Sequence, residues 1–335
     1  MKNILFYAVY LVLTLTACKD KDDNGGTVTP TPTPTTPVLV FNSGFEGSTS
    51  ITNSNGQTDQ ISGIDNSLST ANDWLNTLQN KNGFGGFRFY YEQGDNTQRW
   101  AKIVADPTNA ANKVLQFAIL QPHITLSTGE VKARVQVEQY GGTGIKEFYQ
   151  SVRLYLPADF NKFNTGTVPT TGDWITLFEY WNNASWVTNA TYPFRVSVNM
   201  FKATSGLAGS PLCFDIHGQT LDVNSGKYTT VWEGINKNFP VPIDKWMTIE
   251  MYFKEGRGSE GKYYMTVTPD GGTKTVVFNV ANSTCHPSDP APNGITEINP
   301  LKLYSSANVV NYMNTNGGRF QVYWDDYKIW LNKKP

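Results

Sequence analysis

Stretch after stretch of this chain alternates apolar with polar residues. Phe194, Val196, Val198 and Met200 fall on one face of a segment whose other face carries Arg195, Ser197 and Asn199. Leu212, Phe214 and Ile216 oppose Asp215 and His217, and Met247, Ile249, Met251 and Phe253 oppose Thr248, Glu250 and Tyr252. Arg134, Gln136 and Glu138 alternate with Val135 and Val137. Segments 262–268 and 300–305 behave likewise, with Tyr264, Lys302 and Tyr304 on the polar side. A period of two with one apolar face describes strands packed on one side only. Turn formers separate them; Thr268-Pro-Asp-Gly-Gly272 reads as a hairpin. Helix is scarce, and the best short candidate is 69–79, opening with a Ser69 or Thr70 cap. No repeat of 20–50 residues is visible, which argues against propellers and solenoids. The expected fold is all-β, a two-sheet β-jelly roll with few short helices.

Composition agrees, because 29 Gly, 18 Pro and 13% aromatic residues supply the turns and β-formers that many strands need. A formal net charge of -1, with no basic run, argues against a nucleic-acid partner. At the N-terminus Lys2 precedes an apolar run, 4–17, too short to span a bilayer comfortably, as in a signal peptide. It ends in Leu15-Thr16-Ala17-Cys18, which resembles a bacterial lipobox, so that removal of 1–17 leaves a lipidated Cys18. The following Lys19-Asp20-Lys21-Asp22-Asp23 resembles the surface-export signal of Bacteroidetes lipoproteins, a merely solvated tether being the alternative. Thr and Pro then alternate up to Pro37, an extended spacer without a core. The expectation is a tether over 18–37 and one domain over 38–335. The protein would be a monomer held at the outer membrane, at the cell surface, through lipid alone. Cys213 and Cys285 are the thiols of that domain; an oxidising compartment would permit pairing, which spacing cannot decide.

The two ends of the domain carry a resemblance. Phe41-Asn-Ser-Gly-Phe-Glu-Gly47 and Gln321-Val-Tyr-Trp-Asp-Asp-Tyr-Lys-Ile-Trp330 resemble the first and last strands of concanavalin A-like jelly rolls. That resemblance implies terminal strands lying side by side. It also implies a structural calcium held by Glu46 with Asp325 or Asp326, since Ca²⁺ favours carboxylate oxygens. Solvated carboxylates at a sheet edge are the alternative, and no cofactor is implied for the chemistry.

A jelly roll of this type offers the outer face of a concave sheet to a sugar polymer. Glycosidases need two carboxyls flanking the scissile bond. The Glu-x-Asp-x-x-Glu strand of laminarinase-type jelly rolls is absent, and Phe178-Glu179-Tyr-Trp-Asn-Asn183 has a single carboxylate. β-Elimination on a uronate asks for different groups. One must neutralise the C5 carboxylate, a base must take the C5 proton, and an acid must protonate the leaving oxygen. Arg, Asn or Gln suits the first role, and His, Lys or Tyr the others.

Residues 84–330 resemble, diffusely, the jelly-roll polysaccharide lyases, the group of alginate, glucuronan, heparin and ulvan lyases. Trp100-Ala-Lys-Ile-Val and Asn112-Lys-Val-Leu-Gln-Phe117 are similar to their early strands, and Arg134-Val-Gln-Val-Glu138 to their Arg-Ser/Thr-Glu-Leu strand. Glu147–Pro157 is similar to the strand that follows. Asp173–Trp181 sits where those families place Gln-x-His, and Pro300-Leu-Lys-Leu-Tyr304 is similar to their late Lys/Tyr strand. The chain departs from them in carrying Glu179-Tyr180-Trp181 at the Gln-x-His position, and in spacing Lys302 and Tyr304 by two. The resemblance implies Tyr304, assisted by Lys302 or His217, as proton carriers. It implies Arg134, Gln136, Glu138, Glu179, Trp181, Arg195, Asn199 and Tyr264 as contacts to an anionic, uronate-containing polysaccharide, sulfated or not. A non-catalytic glycan-binding lipoprotein and a hydrolase with unfamiliar carboxylates are the alternatives.

Overall fold

The alternating segments become antiparallel strands in the computed structural model, which describes residues 36–65, 72–184 and 190–335. In chain order they are β1 (Val38–Ser43), β2 (Ser50–Thr52), β3 (Thr58–Ser62), β4 (Ile64–Asp65), β5 (Asn72–Asp73), β6 (Gly86–Tyr90) and β7 (Arg99–Ala105). Then come β8 (Lys113–Ile119), β9 (Ile124–Thr125), β10 (Val131–Ile145), β11 (Glu147–Tyr155), the helix α1 (Asn161–Thr165), β12 (Ile175–Asn182), β13 (Phe194–Lys202) and β14 (Leu212–Asp222). The last are β15 (Lys227–Pro240), β16 (Trp246–Lys254), β17 (Lys262–Pro269), β18 (Thr275–Ala281), β19 (Ile295–Ser306), the helix α2 (Ala307–Thr315) and β20 (Phe320–Leu331).

A ten-stranded sheet runs β15-β14-β13-β12-β19-β10-β6-β3-β2, with β9 on β10. An eight-stranded sheet runs β18-β17-β16-β11-β20-β8-β7, with β1 on β20. With 53% strand and 9% helix, the fold is the two-sheet jelly-roll sandwich that the period of two requires. Val135, Val137, Phe194, Val196, Val198, Phe214 and Ile216 from the first sheet share one core with Val152, Met247, Ile249 and Met251 from the second, all at most 1% exposed. Burying each such side chain contributes roughly 1.5–3 kcal/mol.

The terminal strands pair as the resemblance implied, with Val38 opposite Leu331 and Phe41 opposite Ile329. The 269–272 turn closes with Gly272 N donating to Pro269 O at 2.8 Å, joining β17 to β18. The helix expected over 69–79 is a single wide turn, Trp74–Leu78. Its cap is Asp73, whose carboxylate accepts from Leu75 N and Asn76 N at 2.8 and 2.9 Å; Ser69 and Thr70 lie outside the described residues. The short helix α2 escapes the period-two reading because its apolar residues, Val309, Val310 and Met313, recur on a helical spacing.

Two of the register breaks shape the outer face. Pairing slips between Thr176 and Phe178 on β12, so that Leu177 and Phe178 both turn inward. Pairing with β10 slips again where β19 passes Pro300, a residue that cannot donate to the ladder. Each is a β-bulge, and each moves the next outward-facing residue from the second to the third position along.

Cys213 and Cys285 are both buried free thiols, and burial pushes each up to about 11. They do not pair. Among the described residues no helix is long and apolar enough to cross a membrane. The expected signal peptide, Cys18 and most of the tether lie outside the described residues.

Candidate active-site groove

The outer face of the ten-stranded sheet holds a groove of about 590 Å³. Register sorts its floor into rows that cross the strands. One row reads Arg134 (β10), Tyr304 (β19), Thr176 (β12), Asn199 (β13) and Asp215 (β14). The next holds Tyr90, Gln136 and Lys302 on one side and, beyond the β12 bulge, Glu179, Ser197 and His217 on the other. A third aligns Glu297, Trp181, Arg195 and Gln219.

Tyr304 is the most heavily surrounded of these. Its ring lies 4.7 Å from that of Trp174. The Arg134 guanidinium carbon is 4.5 Å from its centroid, Lys302 Nζ 4.8 Å and Lys132 Nζ 6.0 Å. Such cation–ring contacts are electrostatic and strengthen where water is excluded. Arg134 is also bound by Glu92 at 3.1 Å, and its positive form is strongly favoured, Tyr304, Glu92 and Glu179 outweighing the cost of burial.

The floor is anchored by a buried ion-pair triad. Glu179 is gripped on one oxygen by Lys302 Nζ and on the other by Arg195 at 2.9 Å. Asn299 adds a 3.3 Å acceptor for Lys302, whose side chain is only 1% exposed. Burial opposes the Glu179 charge, but Lys302 and Arg195 outweigh it and hold the carboxyl down at about 2. Burial lowers Lys302 to about 8 even though Glu179 pulls the other way. The Arg195 guanidinium carbon lies over Tyr228, 3.8 Å from its centroid.

At the far side, His217 Nε2 meets Asp215 Oδ2 at 2.6 Å. Asp215 in turn accepts from Asn199 at 2.8 Å, and Asn199 accepts from Thr176 at 2.7 Å. This chain of hydrogen bonds fixes the side chains that separate His217 from Tyr304. Those two stand three strands apart, roughly 14 Å at ordinary strand spacing. One glycosidic linkage cannot reach both.

Of the residues expected from the sequence, Arg134, Gln136, Glu138, Glu179, Trp181, Arg195, Asn199, His217, Lys302 and Tyr304 all line this groove. Tyr264 does not. It sits on β17 of the other sheet, opposite Tyr252 and Asn279, and is removed from the site. Alternation gave it a polar face, but the wrong sheet. Arg88, Tyr90, Glu92, Lys132, Trp174, Tyr228, Glu297 and Asn299 also line the groove. Lys132 extends the alternation of 134–138, and Phe87 and Phe89 in the core imply Arg88 and Tyr90 outside it. His123 is structural: its Nδ1 donates to Gln121 O at 3.1 Å while Nε2 accepts from Arg134 N at 3.3 Å.

Glu46, Asp325 and Asp326 line a separate crevice. Glu46 accepts from Lys113 N at 2.5 Å, and Asp325 accepts from Asn112 at 3.0 Å. Burial, then the adjacent Asp326, pushes Asp325 up to about 7. Among the described residues no three His, Cys, Asp or Glu side chains converge as a metal site.

No protein-family model matches the chain, and no curated protein matches it. Solved structures similar to it include jelly-roll polysaccharide lyases. One is the endo-β-1,4-glucuronan lyase of the fungus Trichoderma reesei, at 12% identity and TM-score 0.42, over 74% of this chain and 91% of that one. Another is the marine PL-14 alginate lyase of Aplysia kurodai, at 9% identity and TM-score 0.42, over 76% and 92%. The catalytic domain of a glycoside hydrolase family 131 protein from Coprinopsis cinerea follows, at 11% identity and TM-score 0.36, over 78% and 86%.

Proposed function

We propose that the domain is a polysaccharide lyase that cuts a uronate-containing glycan by β-elimination at the cell surface, tethered through lipid on Cys18. The observation that carries this reading is Tyr304, which lines the groove with Lys132, Arg134 and Lys302 around its ring. In the reaction the C5 proton leaves, the C4–O bond breaks and a C4=C5 double bond forms. Tyr304, on the face shared by C5–H and the leaving oxygen, takes that proton as phenolate and returns it to the oxygen. Before the first transfer and after the second its negative charge faces three cations, the preorganised stabilisation such a step needs. Arg134 and Gln136, beside it on β10, neutralise the uronate carboxylate. Gln136 Oε1 is buried without a protein partner and is available to a sugar hydroxyl.

Lys302 is a positioning residue, since burial beneath Glu179 keeps it from substrate. His217 lies too far from Tyr304 to serve the same linkage and contacts a neighbouring sugar, as do Glu138, Trp181, Arg195 and Asn199. Glu179, held near 2 by cations, is the reverse of the raised carboxyl a glycosidase acid requires; this disfavours hydrolysis.

The test is ultraviolet absorbance of unsaturated uronate from the purified domain on a panel of uronate polysaccharides. A rise that Tyr304→Phe abolishes, with unchanged thermal melting, is the expected result. Retained turnover in Tyr304→Phe removes the tyrosine from the mechanism. No rise on any polymer, with retardation in an affinity gel, makes the domain a glycan-binding module.

A further inference from the structure

The groove's charge pattern bears on which polymer it takes, an inference that rests on the reading just given. Among the described residues, five basic side chains line the groove, and so do five glutamates. Every one of the cations is already matched. Arg88 pairs with Glu138, Lys132 with Glu130 at 3.2 Å, Arg134 with Glu92 at 3.1 Å, and Arg195 and Lys302 share Glu179. His217 is matched by Asp215 and, at 3.8 Å, by Glu233.

The consequence depends on how many sugars the groove spans. From β6 to β15 the sheet takes six interstrand steps, roughly 29 Å, enough for several sugars in a row. A polyuronate would lay one carboxylate per sugar along that floor. Each would displace a glutamate from its partner or sit beside one, and an unpaired charge taken out of water is expensive. A single uronate is tolerated, because Arg134 and Lys132 pair with glutamates that are partly exposed, with side-chain exposures of 26% for Glu92 and 52% for Glu130. These can swing into water as the substrate carboxylate arrives. The glutamates farther along the floor have no such freedom, Glu138 and Glu179 being 5% and 4% exposed.

We infer that the substrate is a heteropolymer in which each uronate is flanked by uncharged, unsulfated sugars, and that polyuronates are excluded by the paired glutamates. The probes are hyaluronan and desulfated chondroitin, where uronate alternates with a neutral sugar, against alginate and polygalacturonate. Elimination rate and affinity-gel retardation are read on each at low salt, where unscreened charges act farthest.

The expected result is kcat/KM on an alternating polymer at least about tenfold above that on either polyuronate, a ratio equivalent to about 1.4 kcal/mol. Equal or faster cutting of a polyuronate overturns the inference and leaves the lyase reading standing. If nothing is cut, the lyase reading falls and retardation decides: selective retardation of an alternating polymer supports the charge argument, and anything else overturns it. The variant Glu138→Gln, which leaves the Arg88 guanidinium without its carboxylate partner, narrows the preference at least about threefold by improving polyuronate binding, an effect that added salt erases. An unchanged preference in the folded variant also overturns the inference.

Discussion

At the scale of single residues, the decisive contact is Glu179 with Lys302, a charge pair buried beneath the groove. Removing one partner strands the other: Glu179→Leu leaves the Lys302 ammonium in a dry site, and the expected loss is about 3–5 kcal/mol by denaturant titration. Glu179→Leu combined with Lys302→Met recovers most of it, since neither charge then remains buried. The pH dependence follows from the depressed carboxyl. Its stabilisation is complete above the ordinary value of 4.5 and is lost as pH falls through 4.5 towards 2, a limb absent in the double variant. Only half of this was legible beforehand. Lys302 stood out on the polar face of an alternating segment, and Glu179 as the single carboxylate of the segment at the Gln-x-His position. Their pairing joins positions 123 apart in sequence, and no local pattern encodes it. Lys302 therefore read as a solvent-facing acid or base, when it is a buried strut.

At the scale of the strand, β20 carries a cost that its sequence announces as Asp325-Asp326. Asp325 is buried and raised to about 7, with its neighbour's charge adding to desolvation. A raised carboxyl favours folding below its unfolded value, and that contribution is lost as pH rises from 3.8 through 7. Asp326→Asn removes the like charge and tolerates the positive φ of 49° at that position. The expected outcome is a higher melting temperature above pH 7 and no change below pH 3.8. Equal melting temperatures on the alkaline side remove Asp326 as a cause. The bulges on β12 and β19 belong to this scale too. Segment 300–305 read as a strand starting at Pro300, whereas it runs from Ile295. Glu297 and Asn299 were missed for that reason.

At the scale of the molecule, two sheets and one core were legible because a period of two leaves no other use for the apolar faces. Which sheet each strand joins was not. Alternation sorts inside from outside, and both sheets have an outside. Tyr264 and Tyr304 carry the same local pattern, and only the topology separates them, putting one on β17 and the other on β19. Accordingly Tyr264→Ala is expected to leave kcat/KM on the cleaved polymer unchanged, as measured on the same absorbance assay; a loss of turnover would return the outer sheet to the mechanism.

The pairing of Val38 with Leu331 has an engineering consequence. Entry and exit of the domain are neighbours, and both strands belong to the sheet that does not carry the groove. The domain thus has a single handle. A fusion partner, an immobilising tag or a short linker closing residue 38 onto residue 331 attaches away from the sugar-facing surface. A ring closed there and reopened in the exposed 269–275 turn keeps every groove strand continuous.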